Sequence, residues 1–222
     1  MKPIKQIVHR LLTGNQLGKY IVKKSVNYFF PGSAKYWENR YLKNGNSGKG
    51  SYGANAQYKA LVLNQFVAEN NISKVIELGC GDGNQLKQFM FPFYIGLDVS
   101  PTAIQKCGDI FKEDVSKSFF LYNEKAFADN GCAFIAELAL SLDVIYHLVE
   151  DEVFENYMHS LFSASTQFVI IYAWDVEEEK KYHVRHRNFT QWIESNIRDF
   201  QLIETIKGKP GEHFCDFFIY KK

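Results

Sequence analysis

Val75-Ile76-Glu77-Leu78-Gly79-Cys80-Gly81-Asp82-Gly83-Asn84 decides how this chain folds. A short apolar run ends in an acid, three glycines alternate, and a helical pattern is expected to start at Asn84. Glycine accepts positive φ and has no Cβ, so the backbone at such a strand-to-loop junction can lie directly against a ligand. A second apolar strand, Tyr94-Ile95-Gly96-Leu97, ends at Asp98. It follows at about the twenty-residue offset from which an acid accepts hydrogen bonds from ribose hydroxyls. Together the two segments predict an adenosine-type ligand across the carboxyl ends of parallel strands.

The glycine spacing separates the ligands of that kind. A dinucleotide fingerprint needs G-x-G-x-x-G, with the third glycine packing helix against strand beside a pyrophosphate. Here the spacing is G-x-G-x-G, and Asn84 stands where that third glycine would fall. Glu77 would repel a pyrophosphate and suits a ligand carrying an amino group. An acid, one residue, then G-x-G-x-G resembles the first motif of the class I S-adenosylmethionine-dependent methyltransferases. An NAD oxidoreductase is disfavoured by the same spacing.

At 222 residues and 46% hydrophobic content, the chain can hold one full α/β domain plus an extension. No apolar run approaches the length of a membrane span. The start, Met1-Lys2-Pro3-Ile4-Lys5-Gln6, leads into an amphipathic pattern instead of a signal-peptide core. Cys80, Cys107, Cys132 and Cys215 are scattered without a C-x-x-C pair, which suits reduced thiols and a cytoplasmic location. The net charge of +1 conceals an asymmetry: residues 1–50 hold ten Lys or Arg and one acid, Glu38, against sixteen basic and twenty-four acidic residues in the remainder. Two readings stand. The basic segment faces something anionic (a phosphate-bearing substrate, a membrane surface, nucleic acid or the acidic body), or its lysines are solvated faces of amphipathic helices.

Along the chain, Ile4, Ile7, Val8, Leu11 and Leu12 mark one helix, and a second runs from about Leu17 to Phe30, broken at Pro31-Gly32. A third covers roughly Ala34 to Leu42. The glycine-rich run from Lys43 to Gly53 reads as a lid, and a helix from about Ala56 to Asn70 should bury Leu61, Leu63, Phe66 and Val67. From Lys74 on, strands near 74–78, 94–98, 118–122, 135–142 and 167–173 alternate with helices near 84–90, 101–111 and 151–163. Ser100-Pro101 is a good helix start. Val153, Phe154, Tyr157, Met158, Leu161 and Phe162 form a helical stripe read as core. Phe200 to Ile206, a Lys207-to-Gly211 turn, and His213 to Tyr220 read as a hairpin. The expected fold is a doubly wound, Rossmann-like, mostly parallel seven-stranded sheet with a C-terminal antiparallel hairpin. Residues 1–53 form a basic helical extension and lid, and 54–222 the main domain.

The same element order describes the class I methyltransferase fold, and the resemblance runs over roughly residues 34 to 222. It implies that Gly79 and Gly81, with Cys80 and Asn84 in the same loop, admit the methionine part of S-adenosylmethionine, with Glu77 beneath. Asp98 would take the ribose hydroxyls, Val99 would pack on the adenine, and Asn123 would hold the adenine amino group. Tyr36-Trp37-x-x-Arg40-Tyr41 resembles the segment that covers the cofactor in many small-molecule methyltransferases. Arg40 would suit the methionine carboxylate, and Tyr36 or Tyr52 could roof the site. Core packing explains Trp37 equally well.

The fourth strand ends Ser141-Leu142-Asp143-Val144-Ile145-Tyr146-His147-Leu148, at the edge where an acceptor must arrive. His147 is the leading candidate base, because a hydroxyl acceptor loses its proton as the methyl moves. The alternative is a histidine capping the helix near Asp151. Asp143 could orient His147 if the segment turns helically, or contact the cofactor, and Tyr146 would face the acceptor. After the fifth strand, Arg185 and His186 in Tyr182-His183-Val184-Arg185-His186-Arg187 look like forked recognition of an anion. A surface turn paired with Glu177-Glu178-Glu179 is the competing reading.

No Asn/Asp-Pro-Pro-Tyr loop follows the fourth strand, no metal-ligand spacing appears, and Glu150-Asp151-Glu152 suits a helix macrodipole better than a metal. The segments 36–53 and 141–154 are similar to bacterial methyltransferases associated with surface-polysaccharide genes. The resemblance therefore implies methyl transfer, O-methylation favoured, to a small anionic acceptor such as a sugar nucleotide or phosphorylated polysaccharide precursor. No nucleic acid and no membrane span is expected, although the basic N-terminus could touch a surface. Two rivals are an RNA or other nucleic-acid methyltransferase exploiting that N-terminus, and a non-catalytic cofactor-binding partner subunit.

Overall fold

The computed structural model describes residues 30–123, 126–178, 182–208 and 215–222. The helices expected before Phe30 lie outside the described residues. Seven strands, β1 (Lys74–Leu78), β2 (Phe93–Asp98), β3 (Lys117–Leu121), β4 (Ala136–Leu142), β5 (Ser165–Ala173), β6 (Gln201–Ile206) and β7 (Asp216–Lys221), form one sheet. Their order is β3-β2-β1-β4-β5-β7-β6. The pairs among β1 to β5 are parallel, and β7 runs antiparallel between β5 and β6. The chain winds outward from β1 to β3, then crosses to β4 on the other side of β1. Parallel α/β sheets open a ligand crevice at that switch point, outside the carboxyl ends of the strands.

The α-helices of the described residues are α1 (Ser33–Leu42), α2 (Gly53–Glu69), α3 (Pro101–Ile110), α4 (Asp151–Ser163) and α5 (Phe189–Asn196). On one face of the sheet, α4 buries Phe154, Tyr157, Met158, Leu161 and Phe162, the stripe legible in the sequence. On the other, α2 buries Ala56, Lys59, Ala60, Leu63 and Val67. That corrects the expected α2 face. Leu61 is 67% exposed and Phe66 is half-buried. Residues two apart lie about 200° apart around a helix, so Leu61 and Leu63 cannot share a face. The position on the buried line is taken by Lys59, which is 0% exposed.

The helix expected near 84–90 is also corrected. Only a 3₁₀ turn forms, Leu86–Gln88. Leu86, Phe89 and Phe91 bury themselves within a short connection, and Pro92 pushes the residue before it away from helical geometry. The α-helix expected directly after the glycine loop therefore does not form. At α3, Ser100 Oγ accepts from Ala103 N with Pro101 in the first turn, as the sequence predicts. Glu38 of α1 extends that cap, its carboxylate accepting from Ser100 Oγ (2.5 Å), Thr102 Oγ1 (2.7 Å) and Thr102 N (3.2 Å).

Helix α1 is fastened at its other end too. The Glu150 carboxylate accepts from Ser33 N at 2.9 Å and Ser33 Oγ at 2.5 Å, and Ser33 Oγ lies 2.8 Å from the His147 carbonyl. The segment 33–53 thus straps across the carboxyl ends of β2, β1 and β4. Beyond α1, Ser47 N donates to Asp82 Oδ2 (3.0 Å), Asp82 N donates to Ser47 Oγ (2.9 Å), and Tyr52 OH donates to Asp82 Oδ2 (2.8 Å). The glycine-rich run lies on the glycine loop.

Candidate functional site

Beneath this strap is a pocket at the switch point. Glu77, Gly79, Cys80, Gly81, Asp98, Val99, Asp143 and His147 line it, bringing together eight of the residues singled out in the sequence. Gly79 has φ +89°, and a Cβ there would stand 2.4 Å from Val144 Cγ2. Gly81 has φ +62°, and a Cβ there would meet Ser47 Oγ at 2.3 Å. Both positions require glycine for conformation and for space.

Three carboxylates set the electrostatics. Glu77 sits on β1 opposite Gly96 and Leu140, accepting from Tyr94 OH at 2.6 Å. Burial pushes its carboxyl up to about 7. Asp98 accepts from Gly81 N and Ser100 N, both at 2.9 Å. Burial pushes it up to about 6 against the pull of those backbone donors. Asp143, at φ +61°, accepts from Lys59 Nζ (2.6 Å) and Tyr146 OH (2.9 Å). A non-glycine residue in the left-handed region is uncommon, and Asp is among the few that tolerate it.

His147 occupies a 3₁₀ turn, Ile145–His147, at the pocket wall. Its Nδ1 lies 3.0 Å from the His183 carbonyl. A carbonyl only accepts, so Nδ1 carries the proton and Nε2 of the neutral ring holds the lone pair. Burial lowers the imidazole to about 4. Trp37 meets the ring edge-on at 4.9 Å and His183 stacks on it at 5.5 Å, with Tyr36 stacked on His183 at 4.5 Å. The expected Asp143–His147 contact does not form, because Asp143 turns toward Lys59 and the His183 carbonyl orients the imidazole instead.

Other expected site residues lie off the pocket wall. Arg185 and Arg187 do not line it: both guanidinium groups reach Asp151 (2.7 and 3.0 Å), and Arg187 donates to the Leu148 and Val149 carbonyls at 2.6 and 3.2 Å. The arginine loop therefore clamps the start of α4 through Asp151, and the Glu177 carboxylate adds a favourable charge near Arg187. His186 is buried against Tyr146 and Trp174 (ring centroids 5.3 and 5.5 Å). Tyr146 spends its hydroxyl on Asp143. Arg40 Nε donates to the Asn46 carbonyl at 2.6 Å and the guanidinium lies over Trp37. Asn84 Nδ2 donates to Ser51 O, Asn123 is exposed, and Tyr36 stacks on the outer side of His183. The buried Tyr122, one residue before Asn123, is the pocket residue there.

Tyr41, from the covering motif, lines the pocket, and so do Lys59, Gln85 and Ser47, to which the sequence assigned no site role. Lys59 had a signal: it falls four and eight residues before Leu63 and Val67, on the apolar line of α2. Gln85 Nε2 donates to the Ala56 carbonyl (2.9 Å), and its Oε1 is buried with no hydrogen-bond partner.

No family model matches the chain, and no curated protein does. Solved structures do. The N-methyltransferase NodS from Bradyrhizobium japonicum WM9, in complex with S-adenosyl-L-homocysteine, aligns with a TM-score of 0.67 over 86% of this chain and 99% of its own, at 14% identity. Magnesium protoporphyrin IX methyltransferase from Synechocystis PCC 6803 aligns at 0.59 over 92% and 99%, also at 14% identity. The methyltransferase domain of bacterial CtHen1-C aligns at 0.58 over 74% and 97%, at 19% identity. The chain has the class I methyltransferase fold.

Proposed function

We propose that this chain transfers the methyl group of S-adenosylmethionine to a small acceptor. The observation that carries the reading is the charge and shape of the pocket. Glu77, Asp98 and Asp143 face one ammonium, Lys59, over a glycine cradle with no room for a Cβ. Such a wall favours a cationic ligand with a ribose and opposes a pyrophosphate, which would also need the helix N-terminus that the 3₁₀ turn replaces. Gly79 to Gly81 would hold the thioether side, Asp98 the ribose hydroxyls, and Val99 with Tyr122 the base. When bound, the cofactor supplies an electrophilic methyl on a sulfonium. The protein's own part is to exclude water beneath the strap and to hold the acceptor in line.

His147, beside Trp37, is the candidate to orient the acceptor and take its proton at Nε2. With a proton affinity lowered by burial, it stays neutral through the physiological range and serves as a weak base, sufficient for an acceptor that is already acidic or anionic. An anionic acceptor, such as a sugar nucleotide or a phosphorylated polysaccharide precursor, rests on the sequence resemblance and on the exposed cations Lys35, Lys43 and Lys49. Arg185, paired with Asp151, lies off the pocket wall. The test is S-adenosylhomocysteine production from S-adenosylmethionine across nucleotide-sugars, sugar phosphates, small acids and RNA. Turnover with a small anionic acceptor is expected. Turnover with RNA alone would overturn the acceptor reading, and the absence of cofactor binding would overturn the donor.

A further inference from the structure

Two free thiols have no part in the proposed transfer, Cys80 in the glycine loop and Cys107 on the buried face of α3. Scattered in the sequence, they meet in the fold. The two side chains interact directly, and both sulfurs turn to the Gly81 carbonyl, Cys107 Sγ donating at 3.2 Å and Cys80 Sγ at 4.0 Å. Neither sulfur has slack. A Cβ at Gly83 would stand 3.0 Å from Cys107 Sγ, and one at Gly96 would stand 2.9 Å from Cys80 Sγ, so two glycines make room for the pair. Access is one-sided. Cys107 is fully buried, whereas Cys80 lines the pocket, so a small reagent entering the pocket meets Cys80 first. Gly81 is pinned from both ends, its N–H on Asp98 Oδ2 at 2.9 Å and its carbonyl under the Cys107 thiol.

We propose that Cys80 and Cys107 are an oxidisable pair, which hydrogen peroxide converts to a disulfide that loosens the hold of the glycine loop on its ligand. The Cys80 sulfur attacks the peroxide, keeps one oxygen as a sulfenic acid and releases water. The Cys107 sulfur then attacks Cys80 Sγ, the S–S bond forms, and the hydroxyl leaves with the Cys107 proton as a second water. One peroxide is reduced and two thiols are oxidised. A disulfide holds its sulfurs at about 2.05 Å. Cys107 then no longer donates to the Gly81 carbonyl, and the close packing at Gly83 and Gly96 lets the sulfurs close only by carrying loop backbone with them. The loop in turn abuts Ser47 of the strap at Gly81, so its shift changes the wall that the ligand meets. The neighbouring Cys107 thiol and burial push the Cys80 thiol well above its usual range, and the Asp98 and Glu77 carboxylates add to this. Little thiolate is present near neutrality, and the first step quickens as pH rises. The effect on binding rests on S-adenosylmethionine as the donor, whereas the bond itself does not.

The test treats the full chain with hydrogen peroxide on the alkaline side of neutrality, maps crosslinks in tryptic digests, and titrates reduced and oxidised protein with S-adenosylhomocysteine by calorimetry. A Cys80–Cys107 crosslink is expected, with S-adenosylhomocysteine bound at least about tenfold more weakly, a difference well resolved as an affinity ratio, and recovery on adding dithiothreitol. S-adenosylhomocysteine added before the peroxide should slow the crosslinking by covering Cys80. Cys107→Ser keeps a hydroxyl for the Gly81 carbonyl and cannot form the bond, so it should retain its affinity through the same treatment. No crosslink, a crosslinked protein with unchanged affinity, or the same loss in Cys107→Ser, which would trace it to another thiol, overturns the proposal. If reduced wild type does not bind the probe, the donor reading fails while the crosslink map still decides the thiol pair, so the two failures are distinguishable.

Discussion

Replacing Glu77 with Gln should make the ligand-free protein relatively more stable as pH rises. The wild-type carboxyl, buried within the sheet and hydrogen-bonded to Tyr94 OH, is held by burial at about 7 against its ordinary 4.5. A folded-state pKa above the unfolded one means that the folded state holds the proton more tightly. The stability this confers is fully present below pH 4.5 and is lost as pH rises through about 7. The interval corresponds to about 3 kcal/mol once the group ionises in place. For a chain of this length that is roughly 6–12 °C in Tm. Gln keeps an oxygen for Tyr94 and cannot ionise, so the quantity to measure is the difference between variant and wild-type Tm, by scanning calorimetry at steps from pH 4.5 to 8. Taking the difference matters because Asp98, raised to about 6, follows the same trend while His147 opposes it. The difference should grow by several degrees in favour of Glu77→Gln, most of it between pH 5 and 7.5. A difference that stays flat across that window would refute the argument that Glu77 is a strained, ligand-awaiting carboxyl.

Three further outcomes follow. His147→Gln should show the opposite sign: burial holds the imidazole at about 4 against 6.5, so the wild type loses stability relative to the variant as pH falls from 6.5 to 4, and thermal melts over that range check it. Gly79→Ala, at φ +89° and 2.4 Å from Val144 Cγ2, should cost about 1–3 kcal/mol in urea melts and abolish S-adenosylhomocysteine binding, because both the loop and its close approach are lost. Arg187→Ala should lower stability by about 2 kcal/mol, through lost carbonyl contacts and its packing on Phe154 (4.5 Å), without changing cofactor affinity, whereas the more exposed Arg185→Ala should cost under about 1 kcal/mol. A large loss of acceptor affinity with a normal Tm in either arginine variant would restore the loop as a binding element.

Local chemistry explains what the sequence made legible. Glycines at Gly79 and Gly81 and an acid at Asp98 report directly on backbone conformation and strand-end position, and the Ser100-Pro101 cap and the α4 stripe are short-range patterns. What misled were partners far apart in the chain. Arg185 and Arg187 read as an anion site because Asp151, 34 and 36 residues away, is invisible as their partner to any local pattern. Asp143 was placed near His147 by a helical offset that a left-handed residue does not follow. Lys59 reads as a surface residue because a charge on an amphipathic helix is normally solvated. Its periodicity with Leu63 and Val67 carried the information, but its meaning depended on Asp143, 84 residues on. The turn after Gly83 failed as a helix because packing of Leu86, Phe89 and Phe91 within a short connection outweighed local propensity.

S-adenosylmethionine, and not a dinucleotide, is the ligand proposed for the pocket between β1 and β4. This assignment is tested most directly by titrating the ligand-free protein with S-adenosylhomocysteine and with NAD at pH 8, where Glu77 and Asp98, raised to about 7 and about 6, are ionised. Saturable one-to-one binding of S-adenosylhomocysteine and no heat from NAD are expected. Binding of NAD, or silence from both, would contradict it.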